Sequence, residues 1–259
     1  MSQAAILAAI ICSAATLAAP AAAQRLTADI ALANGGSQRV LVAGPANGRD
    51  PDYAARRRRR RRYRQRRRQW APVGQFRGAH LAALAGSGLR GRDPRCANGA
   101  SLLGRRHTAA YADAIGRAVD FARGRANAPV WLVGTSQGSI AAANGAAHLP
   151  GRVAGVVLTS SVTRAGNSGE TLFDSEPAAI AVPTLVVANQ GDACPVSPPA
   201  DATAIAAAVA RAPRKEVILV QSGDARSAPC EAMSPHGFLG IEPVVVQRIA
   251  DWIRATPRR

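Results

Sequence analysis

The sequence predicts an α/β architecture over residues 97–259, a mostly parallel sheet with helices on both faces. Two patterns carry that prediction. Short β-branched runs are bounded by Gly, Pro or polar clusters, and Ala-rich stretches between them place apolar residues at three- and four-residue steps. A third observation is a glycine-flanked serine directly after the first run, where a strand must turn sharply into a helix.

Val130-Trp131-Leu132-Val133 opens the series, continuously apolar as a strand covered on both faces must be. Runs at 153–158, 184–188 and 216–220 follow it. Between residues 105 and 125, Ala109, Ala112, Ile115, Ala118, Val119 and Ala122 share one helical face, and residues 200–210 and 243–252 repeat that spacing. Residues 24–48 form an N-terminal strand region ahead of this core.

The chain of 259 residues is 47% hydrophobic, enough to build a core and too much for a disordered, collagen-like or disulfide-dense small protein. Its formal charge of +17 would ordinarily point to nucleic acid or an anionic surface. The charge is local, however. Residues 49–96 hold 16 Arg and 3 Asp, a net +13, whereas the rest of the chain holds 17 Lys+Arg and 13 Asp+Glu, a net +4.

Residues 1–23 are apolar and Ala-rich and end in Ala21-Ala22-Ala23 before Gln24, which fits a cleaved signal peptide and an exported, periplasmic or secreted, protein. The stretch lacks an n-region Lys or Arg and also admits a membrane-anchor reading. Lipidation at Cys12 fits less well, because Ala9-Ile10-Ile11 offers no small residue beside the cysteine. With the signal removed, no stable membrane span is expected.

The chemistry lies in Gly134-Thr135-Ser136-Gln137-Gly138, a G-x-S-x-G between a buried strand and a helix-forming stretch. A nucleophile on such a turn needs neighbours without bulk, so that the backbone can bend and the Ser136 hydroxyl stands clear at the sheet's carboxyl edge. The amide of Gln137, at the helix start, can donate to an oxyanion. The plain alternative is a Gly-rich turn with a solvated serine.

A serine nucleophile needs a base, and the chain holds His80, His107, His148 and His236. His236, in Ser234-Pro235-His236-Gly237-Phe238, follows the serine and lies in a loop before the last helix. His148 ends the helix after the elbow, His107 opens a helix and His80 lies in the basic segment. Val186-Val187-Ala188-Asn189-Gln190-Gly191-Asp192 supplies a carboxylate just past a strand, which makes Asp192 the orienting acid. Asp174, Glu176 and Asp201 are rivals in loops or on the following helix, and Asp192 could instead cap a turn.

Taken together, VWLVGTSQGS, PTLVVANQGDACP and SPHGFLGIE resemble the α/β-hydrolase superfamily, in particular small exported bacterial members, over about residues 102–255. The resemblance implies an eight-stranded, mostly parallel sheet and a Ser136, Asp192, His236 triad that cleaves an ester or related acyl bond through an acyl-enzyme, with no cofactor and no metal. It implies a small-molecule acyl substrate and does not specify the acyl group, the leaving group or the oligomeric state. If the loops bearing Asp192 and His236 converge on Ser136, Cys194 and Cys230 approach one another, and in an oxidising compartment they are expected to form a disulfide. Two reduced or metal-binding cysteines are the alternative. Cys96 is then left as an odd thiol.

The resemblance fails over residues 49–96. A strand, a Gly-rich loop supplying the second oxyanion amide and a further strand belong here, and the segment instead carries seven consecutive arginines, Arg56 to Arg62. One reading is a solvated, disordered basic insertion. A second makes the protein a nucleic-acid or anionic-membrane binder on a catalytically degenerate scaffold. A third is an out-of-frame segment, since GC-rich Gly and Ala codons become Arg codons in shifted registers. Gly91-Arg92-Asp93-Pro94-Arg95-Cys96-Ala97 can be coded GGT CGT GAT CCC CGA TGC GCC, which one nucleotide later reads VVIPDAP, a strand. The same shift upstream permits a Gly-rich loop. We take the out-of-frame reading as the expectation, so that no nucleic-acid partner is expected and the chain as written is expected to have low activity. Nucleotide reads across codons 45–100 test it; arginine codons with no compensating pair of indels would contradict it.

Overall fold

The structure is a computed structural model that describes residues 24–31, 37–44, 103–125 and 129–257. The signal-peptide stretch, His80, Cys12, Cys96 and the whole of segment 49–96 lie outside the described residues.

Two strands, β1 (Gln24–Ala31) and β2 (Ser37–Gly44), pair antiparallel with Gln24 opposite Gly44 and Ala31 opposite Ser37. The second sheet comprises β3 (Trp131–Thr135), β4 (Gly155–Thr159), β5 (Thr184–Asn189) and β6 (Lys215–Val220), all parallel and in chain order. Helices α1 (Ala109–Arg125), α2 (Gln137–His148), α3 (Ala202–Ala208) and α4 (Glu242–Arg254) accompany it. The mostly parallel sheet is therefore present, with four parallel strands among the described residues where the resemblance implies eight in all.

Period-two alternation divides the sheet's side chains between two cores. Leu132, Val156, Leu158 and Val186 face a layer of Ile115 and Val119 from α1, Ala142, Ala143 and Ala146 from α2, and Ile205 from α3. Trp131, Val133, Val157, Leu185 and Val187 face Val245, Ile249 and Trp252 from α4. Because both faces are covered, β3, β4 and β5 are apolar almost throughout, as the sequence pattern required.

Trp131 shapes the second core. Its ring meets Trp252 edge to face at 5.8 Å. The ring also lies over Gly155, where a Cβ would come within 2.1 Å of it, so the position opposite Trp131 in the parallel register has room only for hydrogen. Arg214 stacks on Trp252 at 4.6 Å, and the Trp252 indole donates to Glu216 at 2.8 Å, fastening α4 to β6.

The parallel register sets the carboxyl ends of the strands along one edge: Thr135 pairs with Thr159, Thr159 with Val187, and Asn189 with Val220. The loops that leave this edge carry Ser136, Ser160, Asp192 and Ser222, the position where parallel α/β sheets place ligands. α1 begins at Ala109, four residues later than the sequence pattern suggests, because the preceding turn is held by a buried carboxylate described below.

Candidate active site

Ser136 is a non-glycine residue at φ 55° and ψ −126°, a conformation that costs on the order of 1–3 kcal/mol and persists only where the surroundings enforce it. The enforcement is visible. Its N–H donates to Thr159 O at 3.0 Å, and its carbonyl accepts from Ser139 N at 2.8 Å and Ser139 Oγ at 2.7 Å. Gly134 and Gly138 let the strand and helix touch, since a Cβ on Gly134 would sit 2.1 Å from the carbonyl oxygen of Gly138. Gln137 is the first residue of α2, where backbone N–H groups have no acceptor within the helix.

Asp192 follows β5 by three residues, its N–H returning to Asn189 O at 2.9 Å. Its carboxylate is held on both oxygens: Oδ1 accepts from Cys194 N at 2.8 Å, and Oδ2 accepts from His236 Nδ1 at 2.8 Å and Ser197 Oγ at 3.2 Å. His236, only 3% exposed, lies in the 3-10 turn Pro235–Gly237. A carboxylate can only accept, so Nδ1 carries a proton toward Asp192, and in the neutral imidazole Nε2 is the basic nitrogen. Nε2 is buried and has no hydrogen-bond partner among the described residues.

The elbow and the histidine loop meet through the end of β4. Ser136 N–H binds Thr159 O, and the next residue, Ser160, donates its hydroxyl to His236 O at 2.7 Å. Ser160 itself has a positive φ of 41°. The loops carrying Ser136, Gln137, Asp192 and His236 leave one sheet edge; Asp192 and His236 are hydrogen-bonded there, whereas Ser136 Oγ and His236 Nε2 are not. The other described histidines are engaged elsewhere, His148 with Asn144 O at 3.0 Å and Glu176 at 3.6 Å, and His107 with Glu170 at 3.0 Å. The rival carboxylates are likewise occupied: Asp174 bonds back to Thr171, and Asp201 accepts from Thr163 at 2.7 Å.

Two residues that the sequence reading passed over hold this arrangement. Ser197 Oγ lies 3.0 Å from His236 Nδ1 as well as 3.2 Å from Asp192, bridging the pair. Asn189, fully buried at the end of β5, accepts from Gly191 N and Ser222 N at 3.0 Å each. Its amide donates to Ser222 Oγ and Pro235 O at 2.8 Å each, so one side chain joins the acid loop, the loop after β6 and the histidine loop. Neither linking role is marked locally: beyond the short bond to Gly191, the Asn189 bonds to Ser222 and Pro235 span 33 and 46 residues, and the Ser197 contact to histidine spans 39.

Cys194 and Cys230 form a disulfide across a separation of 36 residues. Cys194 is buried beside Asp192, whereas Cys230 is exposed on the histidine loop. Asp192, Cys194 and His236 are a cluster of ligand-type atoms within 4.8 Å of one another, but the sulfur is bonded to Cys230 and offers no thiolate. Closing a loop of this length is worth about 4 kcal/mol in the chain-entropy account. Cys230→Ser, or reduction, is expected to lower the unfolding free energy by about 2–4 kcal/mol and to loosen the Asp192–His236 contact. Denaturant unfolding with and without reductant checks this; coincident curves would contradict it.

No protein-family model and no curated protein matches the chain. Solved structures do. An esterase from Pyrococcus furiosus superposes with a TM-score of 0.55 at 8% identity, covering 90% of this chain and 91% of that one. Est1E from Butyrivibrio proteoclasticus gives 0.41 at 11% identity, over 56% and 69% of the two chains. A thermophilic esterase from Thermogutta terrifontis gives 0.40 at 17%, over 55% and 70%. Sheet order, elbow and superposition on the Pyrococcus protein together define an α/β-hydrolase fold. At these identities the likeness concerns the fold; the chemistry rests on the residues at the sheet edge.

Proposed function

We propose that the protein is an exported serine hydrolase that cleaves an ester or related acyl bond of a small molecule through an acyl-enzyme. The observation that carries this reading is His236, buried, donating from Nδ1 to Asp192 at 2.8 Å, with an Nε2 that has no partner among the described residues. Nε2 takes the proton of Ser136 Oγ as that oxygen bonds to the carbonyl carbon. Asp192 steadies the imidazolium and fixes its tautomer. The Gln137 N–H, at the helix start, donates to the carbonyl oxygen as it becomes an oxyanion. Collapse expels the leaving group with the proton from Nε2, and a water activated by the same nitrogen then attacks the acyl carbon and frees Ser136.

Export is supported by the apolar, Ala-rich residues 1–23, which read as a signal peptide, and by a disulfide, a bond suited to an oxidising compartment. A second oxyanion amide would come from the Gly-rich loop that the shifted register restores. A short-chain p-nitrophenyl ester tests both parts of the reading. The written chain is expected to release p-nitrophenol slowly and its Ser136→Ala variant not at all. Rewriting segment 49–96 in the shifted register is expected to raise turnover about 10²- to 10³-fold, the worth of one oxyanion donor. Equal release by the parent and Ser136→Ala would contradict the reading.

A further inference from the structure

A second buried polar cluster lies outside the Asp192–His236 pair and ends on the elbow. At its centre is Glu170, 1% exposed, in the loop after β4. Its Oε1 accepts from Gly104 N and Arg106 Nη1, both at 3.2 Å, and its Oε2 accepts from Arg106 N at 2.9 Å and lies 3.0 Å from His107 Nδ1. Arg106, 6% exposed, is thereby fixed at both its backbone and its guanidinium. The same Nη1 donates to Gln137 Oε1 at 2.9 Å, and Gln137 Nε2 donates to Ser168 Oγ at 3.2 Å. Because guanidinium can only donate, the orientation of the Gln137 amide is unambiguous.

The turn carrying Arg106 is docked a second time on α2. Asn144, fully buried and seven residues beyond Gln137 on the same helical face, donates to the carbonyls of Arg106 and Thr108 at 2.9 Å each. A buried ion pair is poor at adding stability, since desolvation offsets most of the attraction. What it adds is direction, and here the direction is toward Gln137. Ser136 sits in a strained conformation, so the peptide that joins it to Gln137 can relax by rotating, and rotation would swing the Gln137 N–H away from the oxyanion. Anchoring both ends of the Gln137 side chain opposes that rotation.

We propose that Arg106, held by Glu170, is a positioning residue for the oxyanion donor: it clamps the Gln137 side chain and so keeps the Gln137 N–H aimed at the reacting carbonyl oxygen. This rests on Ser136 being the nucleophile. The test uses the full chain and an alkyl fluorophosphonate, in which the serine oxygen bonds to phosphorus, fluoride leaves, and negative charge develops on the phosphoryl oxygen.

Arg106→Met and Gln137→Met cut the same link from its two sides, and the second leaves the buried Arg106–Glu170 pair intact. Each is expected to lower the maximal phosphonylation rate about 3- to 30-fold, a partial version of the loss a misplaced donor causes, with the inhibitor's half-saturating concentration within about twofold. The final labelling stoichiometry is expected to stay unchanged, and the double variant to lose no more than the larger single loss. An unchanged maximal rate in Gln137→Met, a loss seen only in stoichiometry, or additive losses would overturn the clamp. No labelling of the parent chain would overturn the nucleophile assignment and the clamp with it, whereas a labelled parent with unaffected variants overturns the clamp alone.

Discussion

His236→Ala and Asp192→Asn are each expected to lower acyl hydrolysis by about 10⁴-fold, and the second for a reason specific to this carboxylate. Asp192 Oδ1 is taken by Cys194 N–H, which requires an acceptor. In the Asp192→Asn variant the carboxamide oxygen keeps that bond, and its NH₂ then points at His236 Nδ1. Nδ1 must accept, so the ring proton moves to Nε2 and the lone pair that would take the serine proton is gone. Size and packing barely change. Steady-state hydrolysis of a p-nitrophenyl ester by folded protein checks this, and more than about a tenth of the parent rate in Asp192→Asn would contradict the assigned roles.

Gly134→Ala is expected to be the most damaging single methyl group in the described sheet. The added Cβ would lie 2.1 Å from Gly138 O, 2.5 Å from Gly138 C and 2.8 Å from Ala142 Cβ, none of them the movable end of a long side chain. Strand and helix must part, at a cost of about 3 kcal/mol. They would carry Ser136 with them, so activity falls even in the fraction that stays folded. Gly124→Ala is the control: nothing lies within 4 Å of its Cβ position on α1, and Ala there is expected to leave stability level or raise it by about 0.5–1 kcal/mol. Urea unfolding of the two variants beside the parent separates them, and indistinguishable midpoints would contradict the close-approach account.

The elbow was legible because its constraints are local. A strained serine between a buried strand and a helix demands small neighbours within two residues, and Gly134 and Gly138 record that demand in the sequence. Continuous apolar runs were legible as strands because a sheet covered on both faces leaves no solvent side to alternate with. Asp192 and His236 stood out by chain order and by their positions in loops past strands, and the structure brings them to 2.8 Å.

The supporting groups were not legible, for the converse reason. Glu170 reads as an ordinary loop acid, yet it organises residues 63 to 66 positions away, and it holds residues 104–107 as a turn where the periodicity suggested the start of a helix. Asn189 and Ser197 join the acid loop to others through partners distant in sequence. Long-range polar satisfaction leaves no periodic trace, whereas apolar burial does.

The central claim is that Ser136 is the nucleophile. Fluorophosphonate-treated protein, digested with trypsin and fragmented in a mass spectrometer, tests it most directly. The account predicts a single adduct on the peptide spanning residues 126–152, localised to Ser136 and absent from His236→Ala treated for the same time. An adduct on Ser139, on a serine of another peptide, or on none would contradict it.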